Sequence, residues 1–255
     1  MKLRKLFLGI ATGLGLAVGA GSANAALIDL GFALDESGSI IDTDWTLQKQ
    51  GLAAALAQIP TTGTDQYRIT VVKFDTTAET VVAPTILTAA NLGAIQTLIN
   101  AAVQGQQLTC ISCAVELLTS NIAGAGGFGD TSFINISTDG SPTAGSGNAT
   151  AIRTAAVAAG WDSISAEAIS AGTGGESFLL GLAYPTPGVL VTDPSLLPNP
   201  LTQGFVLRVD NFNDYQGAIA AKIARIVTPT PEPGTLALLG LGLAGLGLSR
   251  RRRAS

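Results

Sequence analysis

Histidine is missing from all 255 residues. Its absence removes the imidazole general base, any Ser-His-Asp triad and the histidine ligands usual at catalytic zinc. Aromatic residues make up 5% and charged residues 13% of the chain, against 47% hydrophobic residues and 31 glycines. Such a chain builds helices and sheet from small side chains, and its length suits one domain plus appendages. No Gly-x-x-x-x-Gly-Lys-Ser/Thr loop is present to cradle a nucleotide phosphate, and no internal repeat is evident.

Both ends read as processing segments. Residues 1–25 give a basic start (Lys2, Arg4, Lys5), an apolar run from Leu6 to Ala20, and Ala23-Asn24-Ala25, the small-x-small pattern of a cleaved signal peptide. A retained anchor is the alternative, but the run falls short of the roughly 18–20 residues a membrane span needs. Residues 229–255 place Pro231-Glu232-Pro233 before an apolar Gly/Leu stretch from Thr235 to Leu248, then four arginines, Arg250 to Arg253. The arginines favour the cytoplasmic side of a membrane. The glycines weaken the stretch as a permanent helix, as expected of a segment held briefly at the inner membrane.

This tail resembles the PEP-CTERM sorting signal of Gram-negative bacteria. The resemblance implies that an exosortase cuts near Pro231-Glu232-Pro233, after signal peptidase has removed the leader, and delivers the domain to the envelope or extracellular matrix. An ordinary C-terminal transmembrane anchor is the other reading. Removing the seven basic residues of the two ends leaves seven of the 14 cations against 18 acids, a net charge near −11 for the domain. Such a surface repels nucleic acid and favours cations or basic partners.

Between the ends, residues 26–228 alternate strand and helix. "LIDLGFALD" (27–35) is a buried-type strand, and Trp45, Leu52, Leu56 and Ile59 have helical spacing over 43–59, stopped by Pro60. Strands are expected over 67–75, 77–84, 131–138, 163–170 and 204–210, and helices over 89–102, 111–122, 148–159 and 213–227. In the last helix Phe212, Tyr215, Ile219, Ile223 and Ile226 mark the core face. The glycine-rich "AGTGGES" (171–177) reads as a loop, and the proline-rich 184–200 as the least regular part. The alternation predicts an α/β fold, a doubly wound, mostly parallel sheet with helices on both faces.

In such folds ligands collect at the carboxyl ends of the strands. The first strand ends at Asp35, followed by Ser37 and Ser39 at alternate positions, and a later strand ends at Asp139. Alternate side chains on a turn can aim at one point, and carboxylates with hydroxyls are the oxygen donors that Mg²⁺ or another hard cation takes. Hydroxyls are neutral, so a cation held by them keeps charge for an outside carboxylate. Asp-x-Ser-x-Ser also occurs as a plain turn or helix cap.

The pattern is similar to the metal-ion-dependent adhesion site (MIDAS) of von Willebrand factor type A domains, with Asp35-x-Ser37-x-Ser39 after the first strand, Thr109 in "GQQLTCISCAVELL", and Asp139 in "INISTDGSPT". The similarity covers about residues 27–227. It implies a Rossmann-like fold and a site in which Ser37, Ser39 and Thr109 hold Mg²⁺, or Mn²⁺ or Ca²⁺, while Asp35 and Asp139 bond directly or through water. It also implies a binding or adhesion domain whose partner, a protein or a matrix exopolysaccharide, offers a carboxylate or other oxygen donor. Family loops carry small residues around the threonine, where this chain has Leu108 and Cys110.

Two other functions compete: a hydrolase using the same cation, and a matrix protein in which the cation is structural. A hydrolase needs a proton-transfer group, and the candidates without histidine are Glu36, Asp42, Asp44, Glu176 or a lysine. Glu36 reads as a solvated loop residue, and Asp42 and Asp44 as helix N-terminal acids that favour the dipole. The expectation is therefore a protein that is not an enzyme. A phosphatase of the haloacid dehalogenase type would want a second aspartate where Ser37 stands. Cys110 and Cys113 form Cys-x-x-Cys at a helix start: in an exported protein a disulfide, otherwise a reactive dithiol or half of a zinc site. So short a ring restrains the unfolded chain by only about 2 kcal/mol, enough to shape a loop locally.

Overall fold

The computed structural model describes residues 25–228. Residues 1–24 and 229–255, with nearly all of the leader, Pro231-Glu232-Pro233, the apolar stretch and the arginines, lie outside it. Among the described residues no helix is long and apolar enough to cross a membrane.

Seven strands form one sheet in the order β3-β2-β1-β4-β5-β7-β6. They are β1 (Leu27–Asp35), β2 (Gln66–Phe74), β3 (Ala78–Ile86), β4 (Thr131–Thr138), β5 (Ser163–Ile169), β6 (Val189–Val191) and β7 (Phe205–Val209). All neighbouring pairs run parallel except β2 with β3, the hairpin at one edge. The helices are α1 (Asp42–Ala55), α2 (Leu92–Ala101), α3 (Ile111–Gly124), α4 (Ala149–Ala159), α5 (Gly172–Leu182) and α6 (Phe212–Val227).

Strand alternation divides the core into two layers. Leu30, Phe32 and Leu34 of β1 pack with Trp45 and Leu52 of α1, Ile95 and Ile99 of α2, and Tyr215, Ile219 and Ile223 of α6. Ala33 belongs to the opposite layer, with Val115 and Leu118 of α3, Ile152 of α4 and Leu179 of α5. Gly31 falls on this second side by the same alternation and is glycine because Trp161 leaves no room: a Cβ would stand 2.9 Å from its ring. Both layers exclude water, the source of most folding free energy.

Three elements differ from expectation. The α1 segment closes in a 3₁₀ turn, Leu56–Gln58, which lets Leu56 and Ile59 both stay buried. "AGTGGES" is the start of α5, whose Leu179 and Leu182 are buried, so packing overrides glycine's poor helix propensity. The proline-rich stretch contains β6, which pairs with β7 over three residues.

Polar groups inside the core fix the end of β4. Glu167 of β5 is wholly buried and ion-paired with Lys222 of α6 at 2.8 Å. The same carboxylate accepts bonds from Asn135 (2.8 Å) and Ser137 (2.9 Å), and Ser137 Oγ also lies 2.9 Å from the Tyr215 hydroxyl. Thr138 and Asp139 follow this anchored segment directly.

Candidate metal centre

The site begins where two adjacent parallel strands send their chains to opposite faces. After β1 the chain enters α1, which packs in one core layer, and after β4 it enters α4, which packs in the other. The diverging loops open a crevice at the carboxyl edge, the topological switch point of a doubly wound sheet.

Asp35 closes β1 and is fully buried. One carboxylate oxygen accepts the backbone N–H of Ser37 at 2.9 Å, and the other accepts the Thr138 hydroxyl at 2.5 Å. Ser37 Oγ lies 3.1 Å from Ser39 Oγ, and Ser39 Oγ donates to Asp139 Oδ1 at 2.8 Å. The ends of β1 and β4 are thus joined through the residues singled out by spacing. Burial pushes the Asp35 carboxyl up to about 7, against the hydrogen bonds from Thr138 and Ser37 and with a further push from the charge of Asp139. Asp139 is also raised, by burial first and by Asp44 nearby, with the Ser39 bond opposing.

Thr109 arrives on a third loop. Its backbone N–H donates to Thr143 Oγ1 at 2.9 Å, and its carbonyl accepts from the N–H groups of Thr143 (2.9 Å) and Ala144 (3.1 Å), in the loop that follows Asp139. Thr109 therefore sits against the Asp139 loop through its backbone, while Asp35, Ser37, Ser39 and Asp139 are joined to one another by hydrogen bonds. The 102–110 segment is also tied to the Asp35 turn. Gly38 donates to the Gln107 carbonyl at 2.8 Å, Gln106 to the Glu36 carbonyl at 3.1 Å, and the Gln104 side chain to the Ile40 carbonyl at 2.7 Å. Cys110 caps α3 and is joined to Cys113 in a disulfide.

Glu36 is not a solvated loop residue. It is 2% exposed, both its oxygens lie 3.0 Å from Lys73 Nζ, and it accepts the Gly105 N–H at 2.8 Å. Lys73 reaches it because β2 neighbours β1, with Lys73 paired to Leu34. A lysine near the end of "QYRITVVKF" was the sequence signal for this partner. Burial raises the Glu36 carboxyl, and the lysine opposes that rise. Asp42 and Asp44 occupy the first turn of α1 as expected, and Glu176 is paired with Arg208, which lowers its carboxyl. Thr138 escaped sequence reading, although it stands directly before Asp139.

The donor set suits a hard cation. Two carboxylates and two serine hydroxyls meet in a crevice; the three loops (35–44, 102–110 and 138–148) contain no lysine or arginine of their own, and Lys73 of β2 is taken up by Glu36. Among the described residues no group of three or more His, Cys, Asp or Glu is placed to hold a metal ion, so a cation here depends on the hydroxyls as well as the two carboxylates. The chemistry of these oxygens matches Mg²⁺, Mn²⁺ or Ca²⁺ rather than a soft metal.

Comparisons with known proteins agree with the fold. Proximal thread matrix protein 1 from the mussel byssus superposes with a TM-score of 0.62 at 18% identity, over 80% of this chain and 49% of that one. Another structure of it, described as having a zinc-occupied MIDAS motif, gives 0.60 at 18% identity over 80% and 49%. A von Willebrand factor type A protein from Catenulispora acidiphila gives 0.57 at 13% identity, over 78% of this chain and 42% of that one. The chain thus spans about half the length of the mussel protein, and the fold is that of von Willebrand factor type A domains. No curated protein matches. The PEP-CTERM protein-sorting motif matches residues 229–253, which marks the chain for export. The family model described as "Protein of unknown function (DUF1194)" matches residues 25–184, well over half of the chain, and the protein belongs to that family.

Proposed function

We propose that this exported domain binds a partner through a divalent cation held by Asp35, Ser37, Ser39, Thr109 and Asp139. The observation that carries the reading is the hydrogen-bonded link Asp35–Ser37–Ser39–Asp139, which draws two strand ends and their oxygen donors together. When bound, Mg²⁺, or Mn²⁺ or Ca²⁺, supplies a positive charge for an oxygen of the partner, best a carboxylate. The residues around it set what else can approach. Ile41, Val103 and Leu108 are 61%, 78% and 51% exposed on the same loops. Beside them lie the acids Asp42 and Asp44. This rim suits a polypeptide with one acidic side chain among apolar ones better than a polyanionic exopolysaccharide, which the surrounding acids repel. The zinc-occupied MIDAS of the mussel matrix protein supports a divalent ion at this place in the fold. Signal peptidase and an exosortase would process the two ends, with a brief stay of the apolar stretch in the inner membrane.

The test is retention of extracellular matrix material on immobilised protein. Binding in Mg²⁺ is expected to vanish in chelator and in Asp35→Ala, with circular dichroism unchanged. Retention that survives both, with only thermal stability lost, would assign the cation a structural role. Metal-dependent turnover of ester or glycosidic substrates would make the protein a hydrolase instead.

A further inference from the structure

The cation reading leaves the Cys110–Cys113 pair unused. We propose that this disulfide is a thiol-exchange site entered at Cys113, and that it takes a low-molecular-weight thiol or the dithiol of a partner protein.

The two sulfurs are not equivalent. Cys110 has no exposed surface, and Gly145 packs so closely over it that a Cβ there would clash with its sulfur. Cys113 is only half-buried, which makes it the member of the pair with surface open to solvent. Attack by an external thiolate at Cys113 Sγ forms a new S–S bond there and breaks the bond to Cys110, whose sulfur leaves with the electron pair. That leaving sulfur already has company. Cys110 Sγ accepts the Cys113 backbone N–H at 3.3 Å and lies 3.5 Å from the Ser112 hydroxyl. A second thiolate attacks the incoming sulfur of the mixed disulfide and releases Cys113. Overall the cystine gains two electrons and two protons, and two thiols are oxidised to a disulfide. The released Cys113 thiol faces the Thr76 carbonyl, 3.7 Å from its sulfur, which can accept the new S–H.

Both products of reduction therefore find partners in the existing fold. The tie is also dispensable to the surrounding loops, because these are held by hydrogen bonds of their own. Cys110 N–H donates to the Asp75 carbonyl at 2.7 Å, Leu108 N–H to Thr76 Oγ1 at 3.2 Å, and the Thr109 carbonyl accepts from Thr143 and Ala144. A disulfide spanning three residues inside the first turn of α3 closes no long loop. The arrangement is one that opens and recloses without unfolding the domain.

The experiment treats the purified full chain with reduced glutathione under native conditions, quenches with acid and maps adducts by mass spectrometry. The expected adduct is on Cys113, in about tenfold or greater excess over Cys110, with the far-ultraviolet circular dichroism unchanged. Cys110→Ser is expected to trap a stable Cys113–glutathione disulfide when treated with oxidised glutathione. Cys113→Ser is expected to leave Cys110 unmodified until denaturant is added. A disulfide that resists native reduction, or an adduct mainly on Cys110, overturns the proposal. The wild-type map decides this even if either variant fails to fold.

Discussion

Asp29 enters the sheet with no exposed surface, and its charge is met by Arg68 of the neighbouring strand at 2.6 and 2.9 Å. The guanidinium also donates to the carbonyls of Ala125 and Gly127, and Asp29 accepts the Gly129 N–H at 2.7 Å. One ion pair thus clamps β1, β2 and the turn after α3 at the end of the sheet opposite the crevice. Removing the cation alone leaves a buried carboxylate unpaired, which costs far more than the pair contributes on balance. Arg68→Met is expected to destabilise by about 3–5 kcal/mol in urea titration, and Asp29→Asn with Arg68→Met to recover part of that loss. Equal destabilisation by single and double variants would show that the carbonyl contacts matter and the charge does not. Such pairs are also where residue-scale reading of the sequence stops. Asp35, Ser37 and Ser39 were legible because their geometry is local, two residues apart on one turn. Glu36 was misread because its partner Lys73 lies 37 residues away and meets it only through strand pairing.

Helix contacts obey the same distinction between local and distant causes. Gly51 interrupts α1 at a place where local propensity alone would favour alanine. Its reason lies in α6: a Cβ on Gly51 would come 2.7 Å from the Tyr215 ring and 3.2 Å from the Gln216 Cα. Gly217, inside α6, would meet nothing within 4 Å. Gly51→Ala is therefore expected to destabilise by about 1–3 kcal/mol through overpacking, despite the gain in propensity. Gly217→Ala should stabilise by about 0.5–1 kcal/mol. Chemical denaturation of the two variants side by side checks both signs, and stabilisation by both would mean that α1 and α6 separate easily. Element existence was readable wherever apolar spacing was strong, as in α6 and β1. Helix α5 was not readable from its glycines, one of which serves a close approach: Gly175 packs against Gly140, next to Asp139, at a distance where a Cβ would lie 3.3 Å from backbone. The apolar spacing of Leu179 and Leu182 was outweighed by that glycine signal.

For the molecule as a whole, the trimmed charge near −11 means that divalent ions gather around the surface whether or not a specific site exists. A thermal shift in Mg²⁺ is therefore informative only against a monovalent background of about 0.15 M, which screens exposed charges beyond about 8 Å. Under that background a specific ion at one hundred times its dissociation constant adds about 2.7 kcal/mol to stability. For a domain of this size that corresponds to a rise in Tm of about 5–10 °C. Asp139→Asn should lose the rise, because it removes the half-buried carboxylate that closes the link to Asp35, yet melt close to the wild type in chelator, since asparagine can still accept the Ser39 hydroxyl. A rise of the same size in Asp139→Asn would assign the ion to the diffuse acidic surface. A wild type that gains nothing over the variant would leave the crevice as a hydrogen-bonded turn, with Ser39 serving only to tie β1 to β4.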